Sequence, residues 1–153
     1  MKNHEAHIKP VDILLVEDNP ADVMLTREAL KESKISTTLN VTTDGEEALN
    51  YVKRLGKHMA ATTPDLILLD LNLPKKDGLS VLSEIKADPI LRRIPVIILT
   101  TSDSEKDISN TYANNANCYI IKPTDFRQFV NVVKTIEDFW LTIVRLPTRK
   151  NSL

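Results

Sequence analysis

The reactive side chains of this sequence gather where apolar runs end. Glu17 and Asp18 follow Val11 to Val16, Asp70 closes Leu66 to Leu69, Thr100 closes Val96 to Leu99, and Lys122 follows Ile120 and Ile121. Carboxylates crowded together repel one another and bind protons unless a cation sits among them. Oxygen ligands with room for water suit Mg²⁺. Histidine and cysteine are missing from these run ends, so zinc does not fit. An aspartate can also act as a nucleophile and carry a phosphoryl group. The new phosphoryl oxygens would need Mg²⁺ on one side, Lys122 on the other and a hydrogen bond from the Thr100 hydroxyl. A plainer reading of Asp70 is a carboxylate that ends a strand and caps a turn.

These residues meet only if the right elements carry them. Pro64 to Pro74 holds a short apolar run bounded by prolines, which reads as a strand (about 65–71) buried on both faces of a parallel sheet. Strands are also expected over 11–16, 36–43, 95–100 and 117–121, the second more polar and nearer an edge. Asn19-Pro20 starts a helix to about Lys34, with Asp22 in its first turn. Asp44-Gly45-Glu46-Glu47 resembles a capping box, with Gly56 as the stop of the helix that follows. Helices over 78–87 and 104–114 come next. The last begins near Thr124-Asp125, with Phe126, Phe129, Val130, Val133 and Ile136 as its core stripe.

Strands alternating with helices give a doubly wound α/β domain, flavodoxin-like, with strand order 2-1-3-4-5. Its switch point lies between strands 1 and 3, where ligands bind beyond the strand ends. Glu17, Asp18 and Asp70 would meet there. The domain is expected over 10–146, behind a flexible arm over 1–9 and ahead of a tail over 147–153.

Composition narrows the field. The chain has 153 residues and a formal net charge of -1, which gives no reason to expect nucleic acid or an anionic membrane as partner. No apolar run reaches the roughly 20 residues a membrane span needs. Cys118 is the single cysteine, read as a small buried strand residue in a reducing compartment, and the protein is expected in the cytoplasm. Gly45, Gly56 and Gly78 are too far apart for a glycine-rich phosphate cradle. His4-Glu5-Ala6-His7 has metal-ligand types but no further ligands near it. Lys75-Lys76 reads as a solvated turn, or as a pair that docks an acidic protein surface.

Val16-Glu17-Asp18, Leu68 to Pro74, Asp77-Gly78, Leu99-Thr100 and Ile121-Lys122-Pro123 together resemble the receiver domain of two-component response regulators, over about residues 11–140. The resemblance implies phosphoryl transfer from a histidine kinase to Asp70. It implies Mg²⁺ held by Asp18, Asp70 and the Asn72 main-chain carbonyl, with Glu17 acting partly through water. It implies a cis Lys122-Pro123 bond, and a switch in which Thr100 shifts and Tyr119 turns inward. A receiver catalyses its own phosphorylation and dephosphorylation and is not a conventional enzyme. Leu69 to Gly78, Asn117-Cys118-Tyr119 and Ile136 to Leu141 are similar to the small stand-alone, homodimeric regulators of cyanobacterial-type phytochrome kinases. The chain departs from that group at Pro123, where serine is frequent. Asn114-Asn115-Ala116 also stands in a loop where receivers often carry glycine.

No second domain is expected after the last helix, so output would pass through protein contacts, a change of oligomer or onward phosphoryl transfer. Phe139, Trp140, Ile143 and Val144 carry apolar content past the usual receiver core, which suggests a homodimer contact. The alternative is that this tail folds back onto its own core. Other readings fit less of the sequence. A haloacid-dehalogenase-type phosphatase needs a second Asp where Asn72 stands. A flavodoxin-like cofactor binder conflicts with the acidic first loop. A receiver fold kept only as a dimerising scaffold would not need the acidic site.

Overall fold

The computed structural model describes residues 10–33, 35–144 and 146–147. Ten main elements alternate: β1 (Val11–Val16), α1 (Pro20–Lys31), β2 (Thr37–Thr42), α2 (Gly45–Lys53), β3 (Leu66–Leu69), α3 (Gly78–Ala87), β4 (Val96–Thr100), α4 (Glu105–Ala113), β5 (Cys118–Ile121) and α5 (Phe126–Glu137). The strands form one parallel sheet in the order β2-β1-β3-β4-β5. This is the flavodoxin-like, doubly wound arrangement expected from the sequence.

Strand alternation divides the core in two, because successive side chains point to opposite faces. Leu14, Val16, Ile67, Leu69, Val96 and Ile98 pack with residues of α2 and α3. Ile13, Leu15, Leu66, Leu68, Ile97 and Leu99 pack on the other face with residues of α1 and α5. All four residues of β3 are buried, as a strand covered on both sides requires.

The helix starts follow their caps. The Asn19 side chain accepts from the Ala21 and Asp22 amides ahead of α1. Asp44 accepts from the Glu47 amide, while Glu47 accepts from Thr43, one residue before the cap. Two glycines answer to close approach. A Cβ on Gly78 would collide with the Asp70 carbonyl oxygen, and one on Gly45 with the Lys76 carbonyl oxygen.

Several expectations need correction. α1 stops at Lys31, not Lys34, because Ser33 draws the chain into a local turn through bonds to the Ile35 amide and carbonyl. β3 is shorter than 65–71, since the Leu71 carbonyl leaves the ladder to accept from Gly78. Arg54 takes the left-handed position after α2, and Gly56 (φ 60°) opens the next turn. Phe126 is 70 % exposed and leaves the core stripe. Cys118 is half-buried. The Lys122-Pro123 bond is trans, and the described residues contain no cis peptide. The two isomers of such a bond differ by only about 0.5–1 kcal/mol, too little for the sequence to decide. Asn115, in the loop where glycine was missed, adopts φ 69°, a conformation asparagine tolerates. Lys76 pairs with Glu84 and so is not a free solvated charge.

No described helix is long and apolar enough to cross a membrane. The arm over 1–9, with His4 and His7, lies outside the described residues, as does the tail from residue 148.

Candidate functional site: a carboxylate cluster at the strand ends

Register brings the reactive residues to one end of the sheet. Val16 lies beside Leu69, so Glu17 and Asp70 follow on neighbouring strands. Thr100 lies beside Ile121, one residue before Lys122. Glu17 and Asp70 are 2 % and 6 % exposed, Lys122 is buried, and Asp18 is exposed. Carboxylate oxygens of Glu17, Asp18 and Asp70 lie within 4.8 Å of one another.

Lys122 holds the cluster together. Its ammonium donates to Asp70 Oδ2 at 2.9 Å, to Asp22 Oδ2 at 2.8 Å and to Glu17 Oε1. Burial alone would lower the lysine pKa, but the hydrogen bonds that the ammonium donates to Asp22, Glu17 and Asp70 outweigh it and raise it above the ordinary lysine value. Burial is also the main influence on Glu17. It pushes that carboxyl up to about 7 despite the hydrogen bond and charge of Lys122. Asp70 Oδ1 accepts from the Asn72 amide at 3.1 Å, and Glu17 accepts from the Asn19 amide.

Two features mark the cluster as more than a buried ion pair. Three carboxylates share one ammonium and a fourth, Asp18, lies beside two of them, so carboxylates outnumber the cation. In addition, the Thr100 hydroxyl oxygen is buried and lacks a hydrogen-bond partner in the structure. Buried hydroxyls are rarely left so. The donor set is all oxygen, with one exposed carboxylate open to solvent. It fits a hard divalent cation that keeps part of its water.

Every strand-end residue singled out in the sequence is therefore placed here: Glu17, Asp18, Asp70, Asn72, Thr100 and Lys122. Tyr119 lies on β5, and its hydroxyl donates to the Ser102 carbonyl at 2.9 Å. The sequence reading missed Asp22 as a partner of Lys122, having assigned it only to the helix dipole. A usable signal was present, since the first turn of a helix after β1 opens onto the same crevice.

The C-terminal residues lie elsewhere. A π-helical turn (Asp138–Ile143) continues α5. Trp140 packs partly onto the Ile13–Phe129 core, so here the tail does fold back, whereas Phe139 is 48 % exposed. Val144 is half-buried, and the Ile143 side chain lies outside the described set. An apolar groove of about 660 Å³ runs beside α5, lined by Cys118, Ile120, Val132, Ile136, Phe139 and Trp140 among others. Burial pushes the Cys118 thiol up, away from the reactive thiolate.

Comparison with known proteins gives one family. The model of the response regulator receiver domain matches residues 13–134. Response regulator Rcp1 of Synechocystis sp. is 47 % identical over 138 residues, which is 90 % of this chain and 94 % of that protein. The crystal structure of its Mn²⁺-bound form superposes with a TM-score of 0.89, covering 91 % of this chain and 100 % of that one. The crystal structure of the phosphorylated cyanobacterial phytochrome response regulator RcpA gives a TM-score of 0.90 at 49 % identity, covering 92 % and 100 %. The probable methanogenesis regulatory protein FilR2 of Methanothrix harundinacea is 43 % identical, over 90 % of this chain and 88 % of that protein.

Proposed function

We propose, for a chain that belongs to the response regulator receiver family, that it accepts a phosphoryl group from a histidine kinase on Asp70, supported by Mg²⁺. The observation that carries this reading is the Lys122 ammonium seated on Asp70, Glu17 and Asp22 in one buried cluster.

The transfer is a simple exchange of bonds. A carboxylate oxygen of Asp70 attacks phosphorus, and an O–P bond forms as the P–N bond of the phosphohistidine breaks. The imidazole leaves with the bonding electron pair and takes up a proton. Lys122 already donates to Asp70 and remains beside the new phosphoryl oxygens. The unpartnered Thr100 hydroxyl can donate to one of them. Glu17, Asp18, Asp70 and the Asn72 main-chain carbonyl would hold the Mg²⁺, which offsets negative charge that Lys122 alone does not balance. Attack by water on the aspartyl phosphate returns the carboxylate, so the protein resets itself and turns over no external substrate.

Phosphorylation is read out as a population shift in which Thr100 moves toward the phosphoryl group and Tyr119 turns inward. A phytochrome-like kinase is the proposed donor, which would place the protein in the cytoplasm. The support is the likeness to RcpA, named a cyanobacterial phytochrome response regulator, at a higher identity than to FilR2. Since Rcp1 and RcpA are matched over nearly their whole length, output through the receiver itself is the supported reading. A second copy is proposed to cover the groove beside α5, with Phe139, Trp140, Ile143 and Val144 at the contact.

Intact mass after incubation with acetyl phosphate and Mg²⁺ tests the reading, with a phosphorylated kinase as second donor. One phosphoryl adduct is expected on the wild type, and none on Asp70→Asn or in EDTA. A wild type that stays unmodified with both donors would overturn it.

A further inference from the structure

Asp22 is the carboxylate at the strand ends to which the proposed reaction gives no task. A lysine ammonium has three donors, and the Lys122 ammonium has three carboxylate partners: Glu17, Asp22 and Asp70. These partners differ in their other engagements. Glu17 and Asp70 belong, with Asp18, to the group whose oxygens converge within 4.8 Å. Asp22 is not in that group, so it meets the ammonium without joining the candidate cation ligands. It is also more open, with 18 % of its side chain exposed against 3 % for Glu17 and 8 % for Asp70.

α1 holds Asp22 in place without help from Lys122. The Asp22 amide donates to Asn19 Oδ1 at 3.3 Å, and the Asp22 carbonyl accepts from the hydroxyl of the buried Thr26 at 2.8 Å. An acidic residue serves a helix dipole equally well when its carboxylate faces solvent. The dipole therefore does not explain why this carboxylate turns to a buried ammonium 100 residues away in the chain.

In the function proposed above, Glu17 and Asp70 are claimed by the ammonium and also by Mg²⁺, and Asp70 in addition by the phosphoryl group. Asp22 is claimed by the ammonium alone. We propose that Asp22 is a positioning residue: it keeps the Lys122 ammonium beside Asp70 when Mg²⁺ takes up oxygens of Glu17 and Asp70, and so leaves it ready to donate to the incoming phosphoryl group. Without Asp22 the ammonium would have no acceptor of its own in the cation-loaded protein, and repulsion between the two cations would push it outward. Asp22 acts through Lys122, with no contact to donor or cation of its own. The proposal rests on the Mg²⁺ part of the receiver reading.

Two variants test it. Asp22→Ala removes the acceptor, Asp22→Asn keeps an acceptor oxygen without the charge, and both leave the Asn19 cap of α1 in place. The first readout is the ¹⁵N-ammonium NMR signal of Lys122 in the unphosphorylated protein, which is seen only while its hydrogens are held away from water. The wild type is expected to show it both in EDTA and at saturating Mg²⁺. Asp22→Ala should keep it in EDTA, where Glu17 and Asp70 still accept, and lose it in Mg²⁺, with Asp22→Asn between the two. A signal that survives Mg²⁺ in Asp22→Ala, or one lost equally in EDTA, would overturn the proposal. So would a wild-type signal that does not shift on adding Mg²⁺, since nothing would then compete for Glu17 and Asp70. The second readout is the acetyl phosphate reaction at saturating Mg²⁺, expected to slow about tenfold in Asp22→Ala and less in Asp22→Asn. Removing a negative charge would by itself favour the anionic donor. An unchanged or faster reaction in Asp22→Ala would therefore refute the positioning role, whatever the variant loses in stability. A wild type that binds Mg²⁺ but takes no phosphoryl group from any donor would count against the phosphoryl reading alone, and the ammonium signal would still decide the role of Asp22.

Discussion

The strand ends around Asp70 and the groove beside α5 are built from opposite materials. At the strand ends, Glu17, Asp70 and Lys122 are buried together, and Lys122 alone serves three carboxylates. Beside α5, apolar side chains line an open surface, with Phe139 half in solvent. The first region states its chemistry, because buried charge is costly and is kept only where it is satisfied or used. The second states only that something apolar fits, because apolar contact is non-directional. Substitutions should therefore separate them: strand-end changes alter stability with cation and pH, and groove changes alter association.

The largest effect is expected from Lys122→Met. It leaves Glu17, Asp22 and Asp70 facing one another, and breaking a buried pair costs about 3–5 kcal/mol. Urea unfolding in EDTA should show the loss and added Mg²⁺ should recover part of it. A loss indifferent to cation would put the strand ends on the same footing as the apolar core.

Glu17→Gln sharpens the comparison through pH. The Glu17 carboxyl, near 7 in the folded chain, stands above its ordinary value of 4.5. A raised folded pKa means that the folded state binds the extra proton. Its stabilising contribution is therefore full below about 4.5 and lost as pH rises through about 7. At 1.36 kcal/mol per unit, the difference between pH 4.5 and 8 is at most about 3 kcal/mol. Cation-free unfolding of the wild type should show this slope in excess of the Gln variant. Parallel pH curves would remove Glu17 as its source.

Gly78→Ala tests the packing beneath Asp70. The added Cβ meets the Asp70 carbonyl, so α3 must shift, at a cost of about 1–3 kcal/mol. Thermal unfolding measures the cost, and slower phosphorylation should accompany it. The smallest effect on stability is expected from Phe139→Asp, within about 0.5 kcal/mol for an exposed site. Light scattering should nevertheless show loss of the dimer proposed above. A dimer that persists would move the contact away from this groove.

Legibility followed the same divide. The sheet order could be read because β3 and β4 are short apolar runs that only a doubly covered sheet accommodates. Asp70, Asp18, Thr100 and Lys122 could be read because each stands where such a run stops. Asp22 was hidden, since a carboxylate in a first helical turn already has a local explanation. Phe126 was misread because helical spacing fixes an angular position and not what lies opposite it. The π-helical turn over 138–143 left no periodic signal to find.

The most direct test of the account asks which atom carries the phosphoryl group. Borohydride cleaves an aspartyl phosphate and leaves homoserine, and peptide mapping then locates it. After phosphorylation and trapping, homoserine is predicted at position 70 and nowhere else in the peptide spanning β3. Homoserine at position 18 instead, or an adduct that resists borohydride and maps to a hydroxyl such as Thr100, would contradict the account.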